Sequence, residues 1–208
     1  MTELVKMCDC REAPQRASRL RHWRRAGFTL IELLVVIAIA AILTMIAIPG
    51  FTDMIQRNRV SGEVNSFVGD LQYARSEAIK TGQTVSICPS SDGSSCLGTN
   101  AWQSGWIVFT DVNGNGAVDT SATPSANDNV LRKRAAWTGG DTFLPILPNA
   151  TGTTVITYGR MGFATNLNGA LASIKVTTTP ANNNAVRCVV VSLIGHQAVQ
   201  SLGGAQCT

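Results

Sequence analysis

An unbroken apolar stretch, Phe28 to Ile48, constrains this chain more than any other feature: 21 residues with a single charge, Glu32. Arg24, Arg25 and Gly27 precede it and Pro49 follows at once. As a helix, 21 residues rise about 31 Å, the thickness of a bilayer's hydrocarbon layer. The charge map turns with it. Residues 1–27 hold seven basic and three acidic side chains, whereas 28–208 hold ten of each, so the whole excess of +4 lies ahead of the apolar run. A positive flank stays in the cytoplasm, and the chain beyond the span is then expected to be exported. The neutral remainder argues against a nucleic-acid-binding surface, which needs an excess of Lys and Arg.

Cysteines divide at the same place. Cys8 and Cys10 precede the span on the reducing side; Cys88, Cys96, Cys188 and Cys207 lie beyond it. Four cysteines in an oxidising compartment allow three pairings. Sequence neighbourhood favours Cys88–Cys96 and Cys188–Cys207, each closing a short polar loop. An ordinary secretory signal is not expected, because the small residue Gly27 stands before the apolar run rather than after it.

Gly27-Phe28-Thr29-Leu30-Ile31-Glu32 resembles the class III signal of type IV pilins and type II secretion pseudopilins. The resemblance implies that a prepilin peptidase/N-methyltransferase cuts after Gly27 and methylates the new amine of Phe28. It makes Glu32 the assembly glutamate, paired with the N-terminal amine of a neighbouring subunit, and Pro49 the helix-bending proline. A lone carboxylate in an apolar span is costly, so intramembrane ionisable groups tend to be functional. A charge pair helps only when both partners meet. Glu32 is therefore expected to serve assembly.

Beyond Pro49 a helical period continues. Phe51, Met54, Ile55, Val60, Val64, Phe67, Val68, Leu71, Ala74, Ala78 and Ile79 recur at spacings of three and four, with charged residues between them. Lys80 and Gly82 mark the end. One helix from about 28 to 81 would be about 80 Å long. From Gln83 the texture turns to β. Runs at Thr84–Cys88, Gly105–Thr110, Val130–Ala136, Thr153–Tyr158, Leu171–Thr177, Val186–Ile194 and Ala198–Leu202 are separated by Gly, Asn, Asp, Ser and Pro. The expected fold class is α+β and pilin-like: a long N-terminal helix packed on a twisted, mostly antiparallel sheet. Its parts are a leader (1–27), a transmembrane or filament-core helix (28–48), an amphipathic continuation (49–82) and a β-rich domain (83–208). The segments Cys88-Pro-Ser-Ser-Asp-Gly-Ser-Ser-Cys96 and Trp102–Asp111 are similar to the GspH/FimT group, which holds minor pilins and a minor pseudopilin.

Four other features bear on function. Asp111, Asn113, Asn115 and Asp119 stand at offsets 1, 3, 5 and 9 of a calcium-type loop, but the twelfth position is Ala122 where a bidentate Glu belongs. An Asx-rich turn is the expected reading, with calcium as the alternative and no cofactor otherwise. Arg132-Lys133-Arg134 reads as an edge strand on which two side chains share a face. DNA-binding members of the group carry Gly-Arg-x-Arg where this chain has Gly195-His196-Gln197-Ala198, and Arg160 stands alone. Trp102, Trp106, Phe109, Trp137 and Phe143 are assigned to packing. With His196 as the lone histidine after the span and no hydrolase or zincin motif, no enzyme is expected.

The resemblance thus implies a minor pilin of the inner membrane, its domain in the periplasm, that starts a type IV pilus at or near the tip and supports twitching. Its partners would be the prepilin peptidase, other minor pilins and the major subunit. A type II secretion pseudopilin and a DNA-binding minor pilin are the alternatives.

Overall fold

The computed structural model describes residues 27–120, 127–146, 154–167 and 171–207. The chain divides between Leu43 and Thr44 into two units. A long helix, α1, spans Leu30–Thr81. Thr29 caps its start: the threonine Oγ1 accepts the Glu32 N–H at 3.2 Å and the carbonyl accepts the Leu33 N–H at 3.2 Å. Gly82, at a φ of 68° that a side chain would oppose, ends it by donating its N–H to the Ala78 carbonyl. Among the described residues no single helix is long and apolar enough to cross a membrane. Leu30–Ile46 and Gly50–Thr81 meet that length and composition together, as a bent pair.

In the second unit, Val60, Val64, Phe67, Leu71, Ala74 and Ala78 form the buried stripe of α1, each at most 2% exposed. Their alternation of four and three residues keeps one helix face on the core. The apolar stripe expected from Phe51 onward starts later than the pattern suggested. Phe51, Met54 and Ile55 are all at least half exposed, because the domain first reaches the helix through polar groups. Asn182 donates to Asp53 Oδ1 at 2.5 Å and to Gln56 Oε1 at 2.8 Å, and Gln56 donates to the Pro180 carbonyl.

Among the described residues, eight strands form two antiparallel sheets where one was expected. The first has β1 (Val85–Pro89), β2 (Trp106–Thr110), β3 (Val130–Arg134) and β5 (Ile156–Tyr158), in the order β3-β2-β1-β5. The second has β4 (Thr142–Pro145), β6 (Ala172–Thr177), β7 (Arg187–Val191) and β8 (Gln197–Ser201), in the order β4-β6-β7-β8. The β4 strand is not among the runs expected from sequence. It is short, follows Gly139-Gly140 and ends on Pro145, which an edge position tolerates because no inner ladder bond is lost there.

Both sheets share one core with the helix stripe: Val85, Ile87, Trp106, Val108 and Tyr158 from the first, Phe143, Ile174, Val176, Val189 and Val191 from the second. Phe67 sits in the middle, its ring 5.1 Å from Trp102, 5.2 Å from Trp106 and 5.5 Å from Phe143, each edge to face. Such pairs add about 0.5–1.5 kcal/mol each beyond burial. The β2 strand is buried on both faces, since Cys88, Ile107 and Phe109 form a second cluster on the side away from the helix.

Candidate functional site

The N-terminal motif lies at the start of α1. Gly27 and Phe28 precede the first turn, and both are exposed. Phe28 is 81% exposed, Leu30 80% and Ile31 70%, so this end of the helix presents apolar surface with no cover among the described residues. Glu32 sits in the first turn, where a negative charge favours the positive end of the helix dipole. It makes no ion pair with another described residue. Thr29-Leu30-Ile31-Glu32 is half a capping box: the threonine bond is made from the hydroxyl side. That Thr-x-x-Glu spacing is a sequence signal for the helix start at Leu30, two residues later than the start expected at about 28. Cleavage after Gly27, methylation of Phe28 and a kink at Pro49 rest on the motif.

The other polar features lie in the second unit. Asp70 is fully buried although the helical pattern put it among the charged, outward residues. Its Oδ2 accepts Trp106 Nε1–H at 3.0 Å and Arg134 Nε–H at 2.7 Å, and its Oδ1 accepts from Arg132 at 3.1 Å. Burial alone would push the Asp70 carboxyl up, but the hydrogen bonds from Arg134, Trp106 and Arg132 outweigh it and hold it below the usual carboxylate range. Arg132 also stacks over the Tyr73 ring, 3.6 Å from its centre. The two arginines of the basic triplet that share a face are thus bound to the helix. Lys133 points the other way, toward Gly93.

The loop at Asp111 uses its own oxygens. Asp111 is buried and accepts the Ser86 hydroxyl at 2.7 Å and the N–H groups of Asn115 and Gly116 at 3.0 and 2.9 Å. Asp119 Oδ2 accepts both Asn113 Nδ2 and Asn115 Nδ2 at 2.7 Å. Asp128 takes the N–H groups of Val112 and Asp119. The carboxylates that would face a cation are filled by protein donors, as an Asx-rich turn requires. No group of three His, Cys, Asp or Glu among the described residues is placed to hold a metal. Ala122, the twelfth position, lies outside the described residues.

Cys88 and Cys96 are disulfide-bonded, as are Cys188 and Cys207, both with Cα atoms 5.6 Å apart. Within the first loop, Asp92 accepts the N–H groups of Ser94 and Ser95, which hold its carboxyl well below the usual range. The second bond fixes the chain after β8 to β7. Trp102, Trp106, Phe109 and Phe143 are buried and Trp137 partly so, all in packing. Arg160 lines an open groove of about 460 Å³ with Met161 and Phe163. His196 lies in the turn between β7 and β8. Cys8 and Cys10 lie outside the described residues.

Residues 63–195 match the family described as type II transport protein GspH, and residues 24–48 match the prokaryotic N-terminal methylation motif. The type IV major fimbrial protein FimA of Dichelobacter nodosus (strain VCS1703A) is 32% identical over 101 residues, 49% of this chain and 54% of that protein. The type IV major alpha-pilin of Moraxella bovis is 58% identical over 41 residues, 18% of this chain and 26% of that protein. The chain thus spans about half or less of the length of these curated relatives. Among solved structures, the type IV minor pilin FimU of Pseudomonas aeruginosa is similar at a TM-score of 0.47 and 19% identity, over 72% of this chain and 92% of that one. The minor pseudopilin EpsH of Vibrio cholerae gives 0.43 and 13%, over 70% and 98%. Pilins and pseudopilins are structural proteins, not enzymes. With the methylation motif at the head of α1 and the family match running from mid-helix through β7, this chain belongs to the GspH family of type II transport proteins.

Proposed function

We propose that the chain is a minor pilin that primes a type IV pilus and sits at or near its tip. It is made with its leader in the cytoplasm, held in the inner membrane by residues 28–48 and cut between Gly27 and Phe28 by the prepilin peptidase, which methylates Phe28. Its β-rich domain lies in the periplasm. It then joins other minor pilins through its exposed apolar helix, with Glu32 meeting a neighbour's N-terminal amine. The observation that carries this reading is the division of α1. The large apolar side chains that flank Glu32 and run on to Ile55 are exposed, whereas from Val60 onward the helix is seated in a closed core.

A type II secretion pseudopilin is the second reading, favoured by the description of the matching family as a type II transport protein. DNA binding stands third, since neither arginine of the Gly-Arg-x-Arg motif is present at Gly195–Ala198. The test is a deletion strain complemented with wild type or Glu32→Ala. Loss of surface pili and twitching in the deletion is expected. Glu32→Ala should be processed normally yet reach the filament at reduced level. A deletion strain with normal pili and twitching refutes the pilus role, and a secretion defect in that strain supports the second reading.

A further inference from the structure

The middle of α1 meets the start of β4 through a cluster of charges that the family likeness leaves unassigned. The Arg59 guanidinium spans both oxygens of Asp141, a buried residue, in hydrogen bonds of 2.7 and 2.5 Å. Gly139 makes room for it: a Cβ there would lie 2.5 Å from Arg59 Nε. One helical turn beyond Arg59, Glu63 brings a second carboxyl group to the same groove, where the charge of Asp141 acts on it. The Glu63 Oε2 is buried and has no partner.

Two carboxylates and one guanidinium leave one negative charge unbalanced in a half-buried seam. Neighbouring like charges do not both ionise readily, and a proton on Glu63 removes the conflict. Burial, and then the charge and hydrogen bond of Asp141, push Glu63 up to about 7 against the pull of Arg59. The remaining charged group on this groove of about 440 Å³ is Arg134, from the end of β3, which is committed to Asp70. Trp106 and Trp137 line the same groove.

We propose that Glu63 holds a proton beside the Arg59–Asp141 pair, and that this proton is a pH-sensitive clasp joining α1 to the β4 edge of the second sheet. Loss of the proton sets two carboxylates against each other across the seam and loosens it. The clasp does not rest on the pilus reading. Its sign comes from linkage. The folded chain keeps the proton up to about 7, while an unfolded Glu gives it up at its ordinary value of 4.5. The stabilisation is therefore complete below the lower value, is lost as pH rises between the two, and stays lost above them.

The test uses the full chain in detergent micelles, with thermal unfolding at pH 5 to 8 and tryptophan emission of the folded protein from pH 5 to 9. The unfolding midpoint is expected to fall by about 2–4 °C from pH 5 to 7 and then level off. Emission should titrate near neutrality. Glu63→Gln, which keeps the shape of the protonated acid, should abolish both changes and match or exceed wild type at pH 8. A variant with both His22 and His196 changed to Gln should keep both. A flat wild-type curve, a slope that survives in Glu63→Gln, or a slope that vanishes with the histidines overturns the proposal. So does a Glu63→Gln chain that fails to fold.

Discussion

The two halves of α1 have similar residues and opposite fates. From Leu30 to Ile48, Leu, Ile, Val and Ala occupy every side of the helix, and the large ones are all more than half exposed. From Val60 to Ala78, apolar residues keep to one face, and that face is closed over by two sheets. An all-round apolar surface cannot be covered by one domain packed on one side; a stripe can. The first half therefore needs a surrounding that is itself apolar, whereas the second carries its surrounding in the same chain. What a helix requires depends on how its hydrophobicity is arranged around the axis.

The sharpest way to break that contrast is to empty the covered half. Phe67→Ala removes the ring shared by Trp102, Trp106 and Phe143 and should cost about 3–5 kcal/mol in chemical denaturation of the full chain in detergent. A loss below about 1 kcal/mol would mean that the core is not centred there. Next is Asp70→Asn, expected to cost about 1–3 kcal/mol, less than a fully buried pair because both arginines are half exposed. With its carboxyl held low in the fold, Asp70 contributes stability above the ordinary carboxylate range and loses it as pH falls below that range. Wild type should accordingly lose more stability than Asp70→Asn on acidification from pH 5 to 3. Equal losses would remove Asp70 from the account of acid unfolding. The smallest effect belongs to the uncovered half. Ile39→Ala is expected to leave unfolding of the β-rich domain within about 0.5 kcal/mol of wild type. A larger change would show that this half leans on the domain in solution.

Much of the fold was legible in the chain and some was not, for physical reasons. The N-terminal motif and most of the strands could be read because each is a local pattern of residue type. The β4 strand could not, because Gly139, Gly140 and Pro145 give it the punctuation of a loop, and only pairing with β6 makes Thr142–Pro145 a strand. Asp70 followed a rule and broke it. By type it belonged with the outward charges, and by position it sat on the buried face with Phe67, Leu71 and Ala74. Its partners Arg132 and Arg134 lie on a strand more than sixty residues away. The meeting of Glu63 with Asp141 is hidden for the same reason, as no single-sequence period links a helix turn to a distant strand. Thr29 is a different case, since its spacing to Glu32 is local and marks the helix start in the sequence itself.

The bonds at Asn182 have a mechanical meaning. The domain grips Asp53 and Gln56 through one amide side chain on the connection between β6 and β7. Within the second unit, these bonds hold the helix ahead of the apolar stripe. They are short, directional and replaceable by water, whereas the stripe beyond them resists sliding over six successive rows of side chains. The attachment is therefore graded, with a compliant collar ahead of a stiff grip.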